Sequence, residues 1–309
     1  MKIITLTLNP AFDIHCYAKQ FLAEHENLVK ITATEAGGKG VNISRALCRN
    51  EVENLALVVL GEENGDAFQR ALNADGITHR AVRVPGRIRE NMTVHTEGTN
   101  ETRISFEGFC VDSSLLDWVK KELTNEIEEG SVVTFTGRVP DGLAMSDVKD
   151  FLRELEALGA RIVIDSRSFS IEDLLELKPL LIKPNQEEIS MYLNRSVKSF
   201  EQVIEGAWEF YRKGIANVMV SLGERGALLV CGEGAFVATP PKIRALSTIG
   251  AGDSSIAGFL SAATRGENPK ECLRCAVAFG TAACMTEGTR PPQKADVDSV
   301  YQQITIETL

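Results

Sequence analysis

The sequence predicts an α/β protein built on a doubly wound, mostly parallel sheet with helices on both faces, plus a small additional β-sheet. Short, nearly continuous apolar runs alternate with helical patterns, which is typical of parallel strands covered on both faces. Two segments break this alternation and carry no clear helix. A chain of 309 residues is long enough to bury a large core.

Six apolar runs are the candidate strands of the large sheet. They lie at Ile3–Leu8, Leu55–Gly61, Ser131–Gly137, Arg161–Ser166, Leu180–Asn185 and Asn217–Gly223. Helix candidates lie between them at Val41–Asn50, Leu115–Glu128, Ser146–Leu158 and Phe200–Lys213. Functional groups of such folds gather at the carboxyl edge of the sheet. Asp165, Lys183–Asn185 and Ser221–Gly223 each close a strand and are therefore expected there.

The two irregular segments, about 11–36 and 87–109, are expected to form the small sheet within one domain spanning residues 1–309. The second segment alternates apolar and polar residues about a polar turn near Gly98, which predicts a β-hairpin. A small sheet beside the carboxyl edge of a large one would serve as a lid. The alternative is a surface excursion without function.

Composition narrows the classes of partner and compartment. The net charge of −10 argues against bulk binding of nucleic acid or anionic membrane, although a local Arg and Lys cluster can still hold an anionic substrate. No apolar run has the length of a membrane span, and the first residues resemble a strand rather than a signal peptide. Seven cysteines suit a reducing cytoplasm with free thiols. Cys272 and Cys275 lie in an apolar helical run and are expected to be structural thiols.

The stretch "STIGAGDSSIAGF" places glycines directly before a helical pattern. Gly250 and Gly252 allow a tight turn, and the helix that follows offers free N–H groups and the positive end of its dipole to an anion. Asp253 lies at the mouth of this anion site. A carboxylate there would repel bound phosphate, which indicates a chemical role.

Three further clusters follow strand ends. "GGKGVN" (Gly37–Asn42) lacks the spacing of a Walker A loop, and Asn42 offers a donor and an acceptor to hydroxyls. In "KPNQEE", Asn185 and Glu188 have the spacing of a helix capping box, or else lie near a Mg²⁺ shared with phosphate through water. "SLGERGA" (Ser221–Ala227) is either a hairpin turn or a ledge for nucleotide phosphates.

The order of "GGKGVN", "KPNxxE", "SLGxxG" and "GAGD" resembles that of the ribokinase-like, or PfkB, sugar kinase family, from "LTLNPAFD" to "GTAACMTEG". Within the family, "TLNPAFD", "GRIRENMTV" and Ser254 are most similar to the 1-phosphofructokinase and tagatose-6-phosphate kinase branch. "ISFEGF" favours the former.

The resemblance implies an ATP-dependent kinase in which Asp253 is the catalytic base. Gly250, Ala251 and Gly252 match the family's anion hole, whose N–H groups stabilise charge on the transferring phosphoryl group. Asp253 would accept the proton of the attacking sugar hydroxyl. The helix N-terminus is expected to keep this carboxylate ionised and thus weakly basic.

The resemblance also assigns binding residues. The substrate-binding residues would be Asp13, Gly38, Lys39, Asn42 and Arg89. Lys183, Asn185, Ser221, Gly223 and Gly226 would border ATP, and Glu188 with Asn185 would face Mg²⁺ through water and phosphate. Arg89 matches a lid arginine that contacts the substrate's existing phosphate, for which a planar guanidinium is well suited.

One position departs from the family pattern. Where many relatives have a small serine near the substrate, "GRVPDG" has Arg138. Arg138 is either a second phosphate ligand or the sign of a shifted substrate preference.

The expected reaction is phosphorylation of fructose 1-phosphate to fructose 1,6-bisphosphate. The alternatives are a tagatose-6-phosphate kinase, a 6-phosphofructokinase, or a non-catalytic sugar-phosphate sensor. A dinucleotide oxidoreductase would need G-x-G-x-x-G after an early strand, which the sequence lacks. Exposed edges of the small sheet, together with the resemblance, predict a homodimer formed through the lid.

Overall fold

The computed structural model describes residues 1–97 and 101–309. Its strands, in chain order, are β1 (Ile3–Thr7), β2 (Ala11–Tyr17), β3 (Lys30–Gly37), β4 (Leu55–Gly61), β5 (His79–Val84), β6 (Arg89–His95), β7 (Glu101–Ser105), β8 (Val132–Thr136), β9 (Arg161–Asp165), β10 (Leu181–Ile182), β11 (Asn217–Ser221), β12 (Ala227–Cys231), β13 (Gly234–Thr239) and β14 (Thr305–Thr308). Its helices are α1 (Lys39–Arg49), α2 (Gly65–Ala74), α3 (Ser114–Leu123), α4 (Met145–Ala157), α5 (Ile171–Leu177), α6 (Gln186–Tyr192), α7 (Phe200–Arg212), α8 (Ala251–Thr264), α9 (Pro269–Ala283) and α10 (Lys294–Tyr301).

A ten-stranded sheet forms the body of the described chain, in the order β14-β13-β12-β11-β10-β9-β8-β1-β4-β5. Neighbouring strands from β5 to β11 are parallel, and β12, β13 and β14 add antiparallel pairs at the far edge. Each predicted strand contains an observed one. The predicted fold class, a mostly parallel sheet with helices on both faces, is confirmed.

The sheet separates two hydrophobic cores. Successive side chains of a strand point to opposite faces, so Ile4 and Leu6 of β1 pack in the core that includes Phe68 of α2 and Phe210 of α7. Ile3, by contrast, packs in the core formed with α1, α8, α9 and α10. Burial on both faces explains why these strands are apolar along their length.

The second sheet has four strands in the order β3-β2-β6-β7. β6 and β7 form the predicted antiparallel hairpin, and the turn predicted near Gly98 lies outside the described residues. β2 pairs parallel to β6 and antiparallel to β3. Cys16, Ala18 and Val94 form the small core of this sheet, which leaves its other face to polar side chains.

Two further features concern the helices. Among residues 1–97 and 101–309, no helix is long and apolar enough to cross a membrane. Cys272 and Cys275 are buried on α9 as free thiols, and burial raises the pKa of Cys272 to about 12. At neutral pH these thiols are therefore protonated and unreactive.

Candidate active site

A cleft of about 420 Å³ lies between the carboxyl edge of the large sheet and the polar face of the small sheet. It brings together many of the residues singled out in the sequence. These are Asp13, Gly38, Lys39, Asn42, Arg89, Arg138, Lys183, Gly250, Gly252 and Asp253. The volume lies within the range of small-molecule sites.

The start of α8 forms one wall of the cleft. Gly250 has a φ of +78°, a left-handed conformation that favours glycine, and no side chain caps the helix. The Ala251 N–H donates to Thr248 O over 3.4 Å. The N–H groups of Gly252 and Asp253 have no acceptor among the described residues, so these two are the donors left for an anion.

Asp253 is buried, and its Oδ2 accepts a hydrogen bond from Asn42 Nδ2 at 2.9 Å. Burial raises its pKa to about 6, against the opposing effects of Lys39 and the Asn42 hydrogen bond. Asp253 is therefore more basic than expected from the helix N-terminus, because loss of water around the carboxylate favours its protonated form. At pH 7 the carboxylate is still mostly ionised, as expected. A pKa near 6 matches a general base that works near neutral pH.

Asp165, at the end of β9, organises the two lysines of the cleft. Its Oδ2 lies 2.9 Å from Lys39 Nζ and 3.8 Å from Lys183 Nζ. Burial alone would raise the pKa of Asp165, but the two lysines outweigh it and lower that pKa. Burial alone would lower the pKa of Lys39, yet Asp165 and Asp253 raise it. The cleft thus pairs an ionised Asp165 with a more basic Asp253, an arrangement that separates structural from proton-accepting carboxylates.

The side of the cleft that carries Asp13, where the sequence analysis expects the sugar, leaves several buried polar atoms unpaired. Asp13 Oδ1 accepts from Asn91 Nδ2 at 3.0 Å. Seven buried side-chain atoms lack a partner among the described residues, and four of them belong to cleft-lining residues. These four are Thr7 Oγ1, Arg89 Nε, Asn91 Oδ1 and Thr136 Oγ1. Because an unpaired buried polar group is costly, their concentration here indicates a polar ligand.

Arg138 lies on the rim, with its side chain 65% exposed and its Nη2 2.7 Å from Asp141 Oδ1. Arg89 is half-buried, and burial lowers its pKa. Arg103 of β7 also lines the cleft and was not singled out in the sequence. Asn91 and Thr7 were likewise missed as site residues. Asp165 was expected at this edge of the sheet from its position at a strand end, but the sequence assigned it no role.

The predicted nucleotide-side residues lie beside this cleft. Asn185 and Glu188 form a capping box at α6: Glu188 N–H donates to Asn185 Oδ1 at 2.8 Å, and Asn185 N–H donates to Glu188 Oε2 at 3.0 Å. Glu188 Oε1 also accepts from Arg167 Nε at 2.8 Å. Both carboxylate oxygens of Glu188 therefore already have protein partners.

Ser221 continues this region, because it forms a bridge with Asn185 where β11 ends. Gly223 begins a short 3₁₀ turn at a φ of +63° with open space beside it. At Gly226 a Cβ would overlap Ala238 O, so the tight return into β12 requires glycine. A small pocket lined by Glu188 shares Asp165 and Lys183 with the cleft. The two regions are thus contiguous.

The donor set constrains any metal. Within the described ranges, no group of three or more His, Cys, Asp or Glu side chains could hold an ion. Mg²⁺ typically takes one or two carboxylates and completes its shell with water and substrate phosphates. The residues therefore suit a Mg²⁺ that arrives with phosphate and do not form a protein cage.

Comparison with known proteins agrees with this geometry. The model of the pfkB family carbohydrate kinases matches residues 7–296. A 1-phosphofructokinase of Escherichia coli (strain K12) is 32% identical over 91% of this chain and 90% of its own length. A 1-phosphofructokinase of Rhodobacter capsulatus is 31% identical over 100% and 98%. The structure of Escherichia coli phosphofructokinase-2 in complex with fructose-6-phosphate aligns with a TM-score of 0.90 at 27% identity, covering 97% of this chain and 98% of that one.

The fold and the site define a phosphotransferase that acts on an alcohol group of a carbohydrate. Since the family model covers nearly the whole chain, the protein belongs to the pfkB family of carbohydrate kinases. Sugar kinases of this family use ATP.

Proposed function

We propose that this kinase transfers the γ-phosphoryl group of Mg-ATP to the 6-hydroxyl of fructose 1-phosphate, giving fructose 1,6-bisphosphate. One observation carries the proposal: a buried carboxylate with a raised pKa faces a cleft whose acceptor side holds unpaired polar atoms and an arginine. Two curated relatives named 1-phosphofructokinase support the choice of sugar.

Asp253 accepts the proton of the attacking hydroxyl, while the N–H groups of Gly252 and Asp253 stabilise charge on the transferring phosphoryl group. Lys183 reinforces this anion site, since its Nζ would lie 3.0 Å from a Cβ placed on Gly252. Lys39, fixed by Asp165, adds positive charge beside the reacting oxygens. A loose transition state depends mainly on this positioning and charge stabilisation.

On the acceptor side, Asp13 and Asn42 hold sugar hydroxyls, with Gly38 allowing close approach at the start of α1. A Cβ on Gly38 would lie 2.6 Å from Thr7 Cγ2, and its φ is +120°, so only glycine suits this position. Arg89 binds the phosphate that the sugar already carries. Its buried Nε has no protein partner to displace.

On the donor side, Asn185, Ser221, Gly223 and Gly226 border ATP. Glu188 and Asn185 would hold Mg²⁺ through water and phosphate oxygens, and the ion would neutralise charge on the transferring group. Arg167 and the capping box hold the Glu188 carboxylate in one orientation, so water rather than a direct bond is the expected link.

A second candidate is a kinase for tagatose 6-phosphate or fructose 6-phosphate with the same machinery. It is favoured by the structural neighbour that binds fructose-6-phosphate and by Arg138, which extends positive charge to the rim of the cleft. The two candidates differ in where the existing phosphate lies relative to Arg89, Lys39 and Arg138.

The assembly we propose is a homodimer through the small sheet. Leu28, Ile31 and Phe106 are 93%, 58% and 51% exposed, and all belong to the two lid segments. Exposed apolar side chains beside sheet edges are typical of an interface. A monomeric mass at micromolar concentration would contradict the dimer. All seven cysteines are free, which supports a cytoplasmic, reducing location.

The experiment that tests the function is ADP production from Mg-ATP with fructose 1-phosphate, tagatose 6-phosphate, fructose 6-phosphate and unphosphorylated sugars. Asp253→Asn tests the base, and Asp298→Asn, at an exposed position of α10, is the matched control. The highest kcat/KM on fructose 1-phosphate with an inactive Asp253→Asn enzyme supports the proposal. A higher kcat/KM on tagatose 6-phosphate or fructose 6-phosphate supports the second candidate function. No turnover on any sugar contradicts both candidate functions.

A further inference from the structure

The small sheet presents one polar face to the cleft, and its register identifies the members of that face. Asp13 of β2 pairs with Asn91 of β6, and Thr93 of β6 pairs with Arg103 of β7. Alternate residues of a strand share a face, and paired residues of neighbouring strands point the same way. Arg103 therefore lies on the same face as Asp13 and Asn91, which carry the sugar-binding side of the cleft.

The side chain of Arg103 has no hydrogen bond or ion pair with any described residue, although it is long and charged. Other arginines near it along the chain are paired: Arg80 of β5 with Glu126, Arg83 of β5 with Asp66, and Arg138 with Asp141. The Arg89 side chain also lines the cleft without a hydrogen bond or ion pair to any described residue, and its Nε is buried. The small sheet thus brings two guanidinium groups without protein partners to one cleft.

This positive charge contrasts with the net charge of the whole chain, which is −10. Arg89 and Arg103 come from the small sheet, whereas Lys39 and Arg138 come from the large-sheet side of the same cleft. An anion that contacts residues from both sheets would therefore link the small sheet to the large one. β7 is an edge strand of the small sheet, so its position responds directly to such a contact.

We infer that Arg103 is a specificity-determining residue that binds the phosphate already present on the sugar, together with Arg89. The inference deepens the proposed function and rests on it. A guanidinium offers two parallel N–H donors to phosphate oxygens and keeps its charge at any physiological pH. Its contact with the phosphate holds β7 over the bound sugar, so phosphorylated sugars are selected over unphosphorylated ones.

The test compares Arg103→Gln, Arg103→Lys and wild type by steady-state kinetics and by calorimetric binding of fructose 1-phosphate without ATP. Arg83→Gln removes the same charge from an exposed position on β5 and is the matched control. Unphosphorylated fructose is assayed in parallel, because a residue that only stabilises the fold would affect both sugars equally.

For Arg103→Gln we expect the KM and Kd of fructose 1-phosphate to rise about tenfold, the effect of one lost charge-assisted contact. The kcat at saturation and the kcat/KM for fructose should stay near wild type. Arg103→Lys should recover part of the binding because it keeps the charge but loses the bidentate geometry. The Arg83→Gln control should bind like wild type.

Two results overturn the inference. One is wild-type affinity of Arg103→Gln for fructose 1-phosphate, and the other is an equal loss on fructose and its phosphate. If wild type prefers another phosphosugar, the proposed function fails by itself, and the same comparison is then made on that sugar.

Discussion

The proposed donor half of the active site, which would bind ATP, and the proposed acceptor half, which would bind the sugar, satisfy their polar groups in different ways. On the donor side, Glu188 is engaged on both oxygens by Asn185 N–H and Arg167, and the helix it caps is complete without a ligand. On the acceptor side, Arg89 Nε and Asn91 Oδ1 are buried without partners. The donor half is internally satisfied, whereas the acceptor half carries unpaired groups that a ligand can satisfy.

The difference has a direct energetic consequence. A buried polar atom without a partner costs about 1–3 kcal/mol, and a ligand that pairs with it recovers that free energy. An analogue that lacks the matching hydroxyl or phosphate leaves the atom unpaired and is rejected strongly. Discrimination between sugars should therefore come from the acceptor half. The donor half should tolerate change with smaller losses.

The largest effect is expected at the boundary of the two halves. Asp253→Asn removes the proton acceptor while keeping a side chain of the same shape, so kcat should fall by about 10²–10⁴-fold, the usual contribution of a general base. The KM of both substrates should change little. Single-turnover measurements at saturating Mg-ATP check the chemical step, and a kcat within threefold of wild type would show that another group takes the proton.

The raised pKa of Asp253 predicts an effect on stability. Its pKa lies at about 6 in the folded protein and at 3.8 in the unfolded chain, so the folded state binds the proton more tightly. Wild-type stability should fall as the pH rises from about 4 to about 6. A gap of about two pKa units corresponds to about 3 kcal/mol, by which Asp253→Asn should be the more stable protein at pH 7.

Urea unfolding of wild type and Asp253→Asn at pH 7 and at pH 4.5 measures this difference, which should shrink at the lower pH. The same carboxyl should give kcat/KM an acid limb near pH 6, because the protonated form cannot accept a proton. Equal stability of the two proteins at both pH values would mean that Asp253 is not destabilised by burial.

Removal of Arg89 probes the acceptor half. Arg89→Gln should raise the KM of the phosphosugar by about tenfold to a hundredfold, because the phosphate loses a charged ligand in a partly buried site. Turnover of unphosphorylated fructose should be nearly unchanged. Arg80→Gln, at an exposed position paired with Glu126, serves as the control and should leave both sugars unaffected. An equal loss on both sugars would assign Arg89 to the sugar ring or to folding.

The smallest effect is expected from the donor half. Glu188→Gln should keep the capping box, since α7 is capped by Ser199 with Gln202 at the equivalent position. The free energy of unfolding should change by less than about 1 kcal/mol. The Mg²⁺ concentration required for half-maximal rate should rise severalfold, because one negative charge facing the ion is lost.

Asp173→Asn is the comparison for Glu188→Gln, since Asp173 occupies the same capping-box position in α5 and lies outside the cleft lining. It should lower stability by a similar or larger amount and leave the Mg²⁺ requirement unchanged. If Glu188→Gln and Asp173→Asn shift the Mg²⁺ requirement equally, Glu188 acts only as a helix cap.

Local pattern was sufficient for much of the fold. Continuous apolar runs such as Leu55–Gly61 are buried on both faces, so their composition reports a parallel sheet directly. Strand β13 and the two edge strands β5 and β14 were not predicted from the sequence. His79–Val84 and Thr305–Thr308 contain exposed charged or polar residues, because they lie at the two edges of the large sheet, where one side is open to solvent.

The sequence by itself determined the fold class and the glycine turn before α8, because each shows in the pattern of neighbouring residues along the chain. Only the tertiary structure decided how basic Asp253 is. Its pKa reflects burial and contacts with Asn42 and Lys39, more than 200 residues away in sequence. The same holds for Asp165 and Arg103. Their roles arise where strands distant in sequence meet at one cleft, and electrostatic interaction depends on distance in space rather than along the chain.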